Sequence, residues 1–223
     1  MVSKKNRLIV LMPSKTGSHS ISKYLRSLDY VFDQILFNPN DNLPKLHLTL
    51  KEHCLYFNIN PSDLKEYTII QLVRNPINRL ISSFYHQQLL LGAKFEFSLF
   101  LDLLETNYYL LPENYDQFYD NFYSGLNFKN WKKECYSKGH WGGLRFYYSQ
   151  HLWNNLNAKV QYFKLEDLKD NNKLNSIFNS NIPFPKEYST NKPKLSLSYS
   201  DQNRIYKLYK KDFIKFNYDF NIS

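Results

Sequence analysis

The residues of this chain best suited to chemistry lie in a polar run at positions 13–20, directly after the apolar stretch at 8–12. A short aliphatic strand that ends in a glycine-containing turn and opens a helix aims backbone N–H groups at one point. Lys15 adds a mobile positive charge, and the hydroxyl groups of the run add hydrogen-bond donors. The run therefore predicts a site for a phosphate or sulfate group. The predicted ligands are Pro13, Ser14, Lys15, Thr16, Gly17, Ser18, His19 and Ser20.

This run differs from the Walker A sequence of ATP-binding proteins, because Lys15 precedes Gly17 and no second glycine stands upstream. ATP is therefore not the expected ligand, and a P-loop kinase is disfavoured. Taken alone, the run leaves a second interpretation open, which is an ordinary helix N-terminus with a lysine on the surface.

A second basic turn follows a predicted strand and begins the segment 74–85. Pro76 suits the first turn of the next helix. Arg74, at the strand end, would supply a planar charged fork, and Ser82, inside the helix, would supply a hydroxyl to the same phosphate. Arg79 is either a further phosphate ligand or the partner of an acidic neighbour. The chain thus places anion-binding residues at two strand-to-helix junctions.

The predicted elements alternate between strands and helices. Strands are predicted at residues 8–12, 31–37, 67–73 and 159–165, and helices at 18–28, 49–57, 166–178, 200–216 and from Pro76 onward. Residues 95–135 are predicted to be a helical or loop insertion, in which the aromatic side chains pack rather than bind ligand. The alternation predicts an α/β fold around a parallel sheet, and the length of 223 residues predicts one domain over residues 1–223.

The composition limits the classes of partner. Lys and Arg number 29 against 20 for Asp and Glu, and the net charge of +9 should attract anions. The basic residues are scattered, which disfavours a nucleic-acid-binding tail. Cys54 and Cys135 are too few for a disulfide scaffold or a metal site, so we expect free thiols, with a single bridge left open, and no metal.

The chain carries no apolar stretch long enough for a signal peptide or a membrane span. The apolar run at positions 8–12 is short and leads straight into the predicted anion loop. A soluble, cytoplasmic protein is therefore expected.

Together the two motifs resemble those of the sulfotransferases that use 3′-phosphoadenosine 5′-phosphosulfate (PAPS). The sequence Pro-Ser-Lys-Thr-Gly-Ser at 13–18 is similar to the family's 5′-phosphosulfate loop, and segment 74–85 is similar to its 3′-phosphate motif. The C-terminal half resembles the Golgi-type carbohydrate branch, through Gly139-His140-Trp141, segment 163–168 and the terminal helix. That branch usually continues with Pro-Gln where this chain has Gly142-Gly143.

This resemblance implies a P-loop-like three-layer fold, with a central parallel sheet flanked by helices and a helical insertion. It also implies in-line transfer of a sulfuryl group from PAPS to a carbohydrate hydroxyl, which leaves adenosine 3′,5′-bisphosphate (PAP) and needs no metal. Lys15 would neutralise charge on the leaving oxygen. Lys192 and Lys194 would lie in a loop that closes over the nucleotide, and Trp141 and Arg145 would contact the acceptor or the nucleotide. The Golgi enzymes carry a membrane anchor, so the lack of one in this sequence suggests either a bacterial or viral relative or a shortened form of a longer protein.

The acceptor hydroxyl requires a base, and we predict His47 for this role. The related carbohydrate enzymes place a catalytic histidine in this segment, and neutral imidazole suits proton removal near pH 7. Glu52 and His53 are the alternatives, and both are also candidate acceptor contacts. A different class of function stays open, namely a binding module for a bisphosphorylated nucleotide or an anionic glycan that performs no transfer.

Overall fold

The computed structural model describes residues 1–33, 47–111, 113–128, 146–170, 172–185 and 195–220. The chain divides into two compact units. The first unit comprises Met1–Asn75 and Gln150–Asn191, and the second comprises Pro76–Ser149 and Lys192–Ser223. The single domain predicted from the chain length stays a prediction.

The sheet lies in the first unit, and its described part has four strands in the order in which they occur along the chain. They are β1 (Val2–Ser3), β2 (Leu8–Leu11), β3 (Thr68–Val73) and β4 (Gln161–Lys164). Strands β2, β3 and β4 are parallel, and β1 pairs with β2 in the antiparallel sense. Strand β2 is buried along its whole length, as expected of a strand in a parallel sheet covered on both faces.

Seven helices accompany the sheet within the described part of the chain. They are α1 (Ser18–Arg26), α2 (Leu50–Tyr56), α3 (Pro76–Leu91), α4 (Phe97–Asn107), α5 (Tyr115–Gly125), α6 (Asn172–Phe178) and α7 (Tyr199–Lys215). Short 3₁₀ helices occupy Pro61–Glu66, Tyr108–Leu110, Gln150–Trp153 and Leu165–Asp170. The parallel strands with flanking helices confirm the predicted α/β fold.

One face of the sheet packs against α1. Val10 on β2 and Ile70 on β3 lie on this face because alternate side chains of a strand point to opposite sides. Ile21 and Leu25 of α1 are fully buried in the same cluster. This packing fixes the start of α1 beside the carboxyl end of β2.

The second unit has a core built largely from aromatic rings. Phe84, Phe100, Phe122, Tyr147 and Phe213 belong to this core and are each less than 5% exposed. Rings meet edge to face, as for Phe84 and Phe100, whose centroids lie 5.3 Å apart at 68°. The aromatic residues of α4 and α5 therefore act mainly in packing.

Two predicted elements differ from the structure. The strand predicted at 31–37 is wrong for residues 31–33, which form no strand, and residues 34–37 lie outside the described part. The edge of β2 is instead occupied by β1, and Val31 is 69% exposed. The helix predicted at 166–178 is divided into the 3₁₀ helix Leu165–Asp170 and α6, since buried Leu168 ties the first part to the sheet cluster.

None of the described helices is both long and apolar enough to cross a membrane.

Candidate active site

The run predicted to bind an anion connects β2 to α1. Lys15 and Gly17 both adopt left-handed backbone conformations, with φ of 66° and 89°, and these make the chain turn sharply. Thr16 closes the turn, because its N–H and its hydroxyl both donate to the carbonyl of Pro13, at 3.3 and 2.6 Å. The hydroxyl hydrogen of Thr16 is therefore used inside the loop.

Gly17 is the N-cap residue of α1. Because glycine has no side chain, the first turn of α1 receives no bond from its N-cap, and the positive end of the helix dipole faces the loop. A Cβ atom at this position would lie 2.6 Å from Cδ1 of Leu165, which is too close for a real contact. The left-handed backbone therefore favours glycine, and the side chain of Leu165 would have to shift to accept any larger residue, as expected of a loop that presents its backbone to an anion.

The remaining residues of the loop differ in exposure. Ser14 is fully buried and Ser20 is 5% exposed, whereas Lys15 and Ser18 are half-buried and His19 is exposed. Lys15 and Ser18 are thus the side chains of the loop that combine a donor with partial access to solvent.

Arg74 lies directly after β3 and approaches this loop. Its Nη1 donates to the main-chain carbonyl of Lys15 at 3.2 Å. Two predicted ligands that are 59 positions apart in the sequence are therefore in contact. The guanidinium is half-buried and lies beside the loop, and a planar array of N–H groups suits the binding of an anion.

Two side chains from later in the chain hold the turn at Arg74 and Asn75. The N–H of Arg74 donates to Oε1 of Gln150 at 2.8 Å, and the N–H of Asn75 donates to Oε1 of Glu166 at 3.0 Å. Sequence reasoning did not single out Gln150, because it stands in an aromatic segment with no motif around it. Only the fold brings it to the end of β3.

His47 lies beside the start of the loop. Its Nδ1 is 2.6 Å from the main-chain oxygen of Met12, and its backbone is left-handed, with φ of 69°. A carbonyl oxygen only accepts hydrogen bonds, so Nδ1 carries the proton and Nε2 carries the lone pair of the neutral ring.

Glu52 and His53 have structural partners. Glu52 forms a capping box at the start of α2, in which Oε2 accepts from the N–H and the hydroxyl of Thr49 at 2.7 and 2.8 Å. His53 is only 2% exposed, and its Nδ1 donates to the carbonyl of Thr49 while Nε2 lies 3.1 Å from the backbone nitrogen of Met1. These contacts favour His47 over both alternatives as the base.

Ser82 and Arg79 lie on α3 in the second unit, and both are buried, at 8% and 2% exposure. A guanidinium nitrogen of Arg79 donates to the carbonyl of Phe146 at 2.9 Å. Burial lowers the pKa of Arg79, and nearby groups that include the buried carboxylate of Asp212 oppose this shift. This environment favours the second interpretation of Arg79, in which it pairs with an acidic neighbour. The role of Ser82 as a phosphate ligand stays a prediction.

Several predicted contacts fall outside the described residues. These are Trp141, Arg145, Lys192 and Lys194, together with Cys135. Cys54 carries a free thiol and is buried, and burial raises its pKa. Within the described ranges, no group of three or more His, Cys, Asp or Glu residues comes together as a set of metal ligands.

The protein has a mostly parallel sheet, a glycine-capped loop after β2, and an arginine that reaches this loop from the end of β3. These features are typical of α/β proteins with a P-loop-like fold. The comparison with known families is more specific, since the model of the Sulfotransferase family matches residues 1–219. The chain belongs to this family of PAPS-dependent enzymes and is a sulfotransferase of EC 2.8.2 type. Sulfotransferases generally use PAPS and release PAP. Comparisons with curated proteins and with solved structures gave no match.

Proposed function

We propose that this sulfotransferase transfers the sulfuryl group of PAPS to a hydroxyl of a carbohydrate, with His47 as general base. The observation that carries the proposal is the hydrogen bond from Nδ1 of His47 to the carbonyl of Met12. Met12 directly precedes the anion loop, so this bond ties the imidazole to the base of the loop. It also fixes the tautomer in which Nε2 is the basic atom.

A neutral histidine with its proton on Nδ1 can act as the base in this reaction. The acceptor hydroxyl must lose a proton as its oxygen attacks, and the lone pair of Nε2 can take that proton. The left-handed backbone of His47 costs about 1–2 kcal/mol for a residue with a Cβ atom. Eight other non-glycine residues of the described chain also have positive φ, so the proposal rests on the hydrogen bond to Met12 and not on the backbone conformation.

The loop and Arg74 fit the phosphate-bearing donor. Gly17 opens the path to the backbone of α1, Lys15 supplies a mobile charge, and Arg74 supplies a fork that is already bonded to the loop. When bound, PAPS supplies the sulfuryl group. Lys15 would orient the donor and offset the negative charge that develops on the leaving oxygen, a contribution of about 3 kcal/mol for one well-placed donor.

The carbohydrate acceptor is supported by the resemblance of the C-terminal half to the carbohydrate branch of the family. To test it, the purified enzyme would be given labelled PAPS with neutral and acidic oligosaccharides, a simple phenol and a tyrosine-containing peptide. Transfer to an oligosaccharide is the expected result. Transfer confined to the phenol or the peptide would contradict the carbohydrate acceptor without affecting the assignment of the donor.

Binding of the donor is tested separately by calorimetric titration with PAP, beside ATP with Mg²⁺. Arg74→Ala should weaken the binding of PAP strongly, whereas Arg26→Ala removes the same charge from the exposed end of α1 and should change it little. A folded wild-type protein that does not bind PAP would contradict the proposed donor site. Binding of PAP without transfer to any acceptor would favour the binding module instead.

A further inference from the structure

We propose that Gln150 is a positioning residue for the donor site, acting through the backbone of Arg74. This inference rests on the proposed function, in which Arg74 binds the 3′-phosphate of the donor. Gln150 begins the 3₁₀ helix Gln150–Trp153 and is fully buried. Its amide group does not reach solvent, so its hydrogen bonds must be made inside the protein.

The side-chain amide of Gln150 forms a reciprocal pair of hydrogen bonds with Arg74. Oε1 accepts from the N–H of Arg74 at 2.8 Å, and Nε2 donates to the carbonyl of Arg74 at 2.7 Å. The amide thus satisfies both backbone groups of Arg74, as a residue in a neighbouring strand would do. It extends the ordered end of β3 by one residue, which is the residue that must face the anion.

Gln150 is itself fixed by the sheet. Its main-chain carbonyl accepts from Nε2 of Gln71 at 2.8 Å, and Gln71 is a fully buried residue of β3. A series of hydrogen bonds therefore runs from Gln71 through Gln150 to the backbone of Arg74. The guanidinium of Arg74 continues it to the carbonyl of Lys15. The buried Gln71 at one end of this series of hydrogen bonds thus helps to hold Arg74 and Lys15 at the other end.

Loss of the amide should release the backbone of Arg74 while its charge remains. In Gln150→Met, which keeps the length and bulk of the side chain, we expect the Kd for PAP to rise by about tenfold or more, since two buried hydrogen bonds are lost. The KM for PAPS should rise in parallel, whereas kcat should change less because Lys15 and His47 are retained.

Gln87 offers a matched control. It is as buried as Gln150, it accepts a hydrogen bond from the hydroxyl of Tyr123 at 2.7 Å, and it lies on α3 in the second unit. The melting temperatures of both variants would be measured, and Gln87→Met should leave the Kd for PAP unchanged. An equal loss of PAP binding in both variants would overturn the proposal, because it would then reflect general destabilisation.

The decisive measurement is a double-mutant cycle for PAP binding between Gln150→Met and Arg74→Ala. If Gln150 acts through Arg74, the methionine variant should have little further effect once Arg74 is alanine. Full additivity, or wild-type binding by Gln150→Met, would reject the role of Gln150.

If Gln150→Met does not fold, Gln150→Glu replaces it in the cycle, since it keeps the shape and the accepting oxygen but loses the donor. Wild-type protein that does not bind PAP would instead reject the donor site itself.

Discussion

The guanidinium of Arg74 donates a hydrogen bond to the main-chain carbonyl of Lys15. This contact joins the two motifs that each suggested an anion site, and it does so between residues at the ends of neighbouring parallel strands. Because the carboxyl ends of parallel strands meet at one edge of the sheet, Arg74 and Lys15 lie at the same edge. Both residues are therefore placed to bind the same anion. The predictions below test what each part of this arrangement contributes.

Lys15→Ala should lower kcat by about 100- to 1,000-fold, because one donor aimed at developing negative charge is removed. Lys23→Ala is the matched control, since Lys23 is an exposed lysine in the last turn of α1, the helix that follows the loop, and carries the same charge. Steady-state kinetics with labelled PAPS would measure both. Equal activities of the two variants would show that Lys15 has no role in catalysis.

His47→Ala should lower kcat by about 100- to 10,000-fold, the usual contribution of a general base, while the Kd for PAP stays close to that of the wild type. His151→Ala, at a half-buried histidine of the first unit, should retain activity. Calorimetry and kinetics on the same preparations separate binding from transfer. Full activity of His47→Ala would remove His47 from the mechanism.

Gly17→Ala should both destabilise the protein and weaken the binding of PAP. Its added methyl group meets Leu165 at 2.6 Å and forces a left-handed residue to carry a Cβ atom. Gly92→Ala also places a Cβ atom on a left-handed residue, with φ of 64°, but its methyl group would meet no neighbour within 4 Å among the described residues. Urea denaturation should therefore show a larger loss for Gly17→Ala, and Leu165→Ala added to it should restore part of the difference. Equal losses at the two glycines would mean that Leu165 does not restrict the loop.

Arg79→Met should lower the free energy of unfolding by about 3–5 kcal/mol, because the buried Asp212 would lose a nearby compensating positive charge and the carbonyl of Phe146 would lose its donor. The double variant Arg79→Met/Asp212→Leu should recover much of this loss. Arg204→Met is the control, since Arg204 pairs with Asp102 and Glu105 nearer the surface, where an ion pair contributes about 1 kcal/mol or less. Urea denaturation measures all three. A stable Arg79→Met protein that fails to bind PAP would restore the phosphate-ligand interpretation.

The elements that position the site were largely predictable. The aliphatic runs before the loop and before Arg74 predicted β2 and β3, and the spacing after each predicted α1 and α3. Local patterns suffice here because a buried strand and an amphipathic helix each have a periodic signature. The edge strand β1 was missed, since two residues are too few to show alternation.

The aromatic region was harder to interpret. Residues 95–135 were predicted only as a helical or loop insertion, and this range contains α4 and α5. The Phe and Tyr side chains that the structure describes in α4 and α5 are all buried, and their rings contact one another across the two helices. Only the structure shows that these helices share an aromatic core with α3 and α7 in the second unit.

The sequence by itself determined the kinds of group present near the proposed site: a glycine in a tight turn, a lysine beside it, and an arginine after the next strand. These follow from neighbouring residues, whose effects reach only a few positions along the chain. The tertiary structure alone decided that Arg74 contacts Lys15, that Met12 fixes the tautomer of His47, and that Gln150 holds the backbone of Arg74. Such contacts join residues far apart in the chain, and they exist only once the sheet has brought its strands into register.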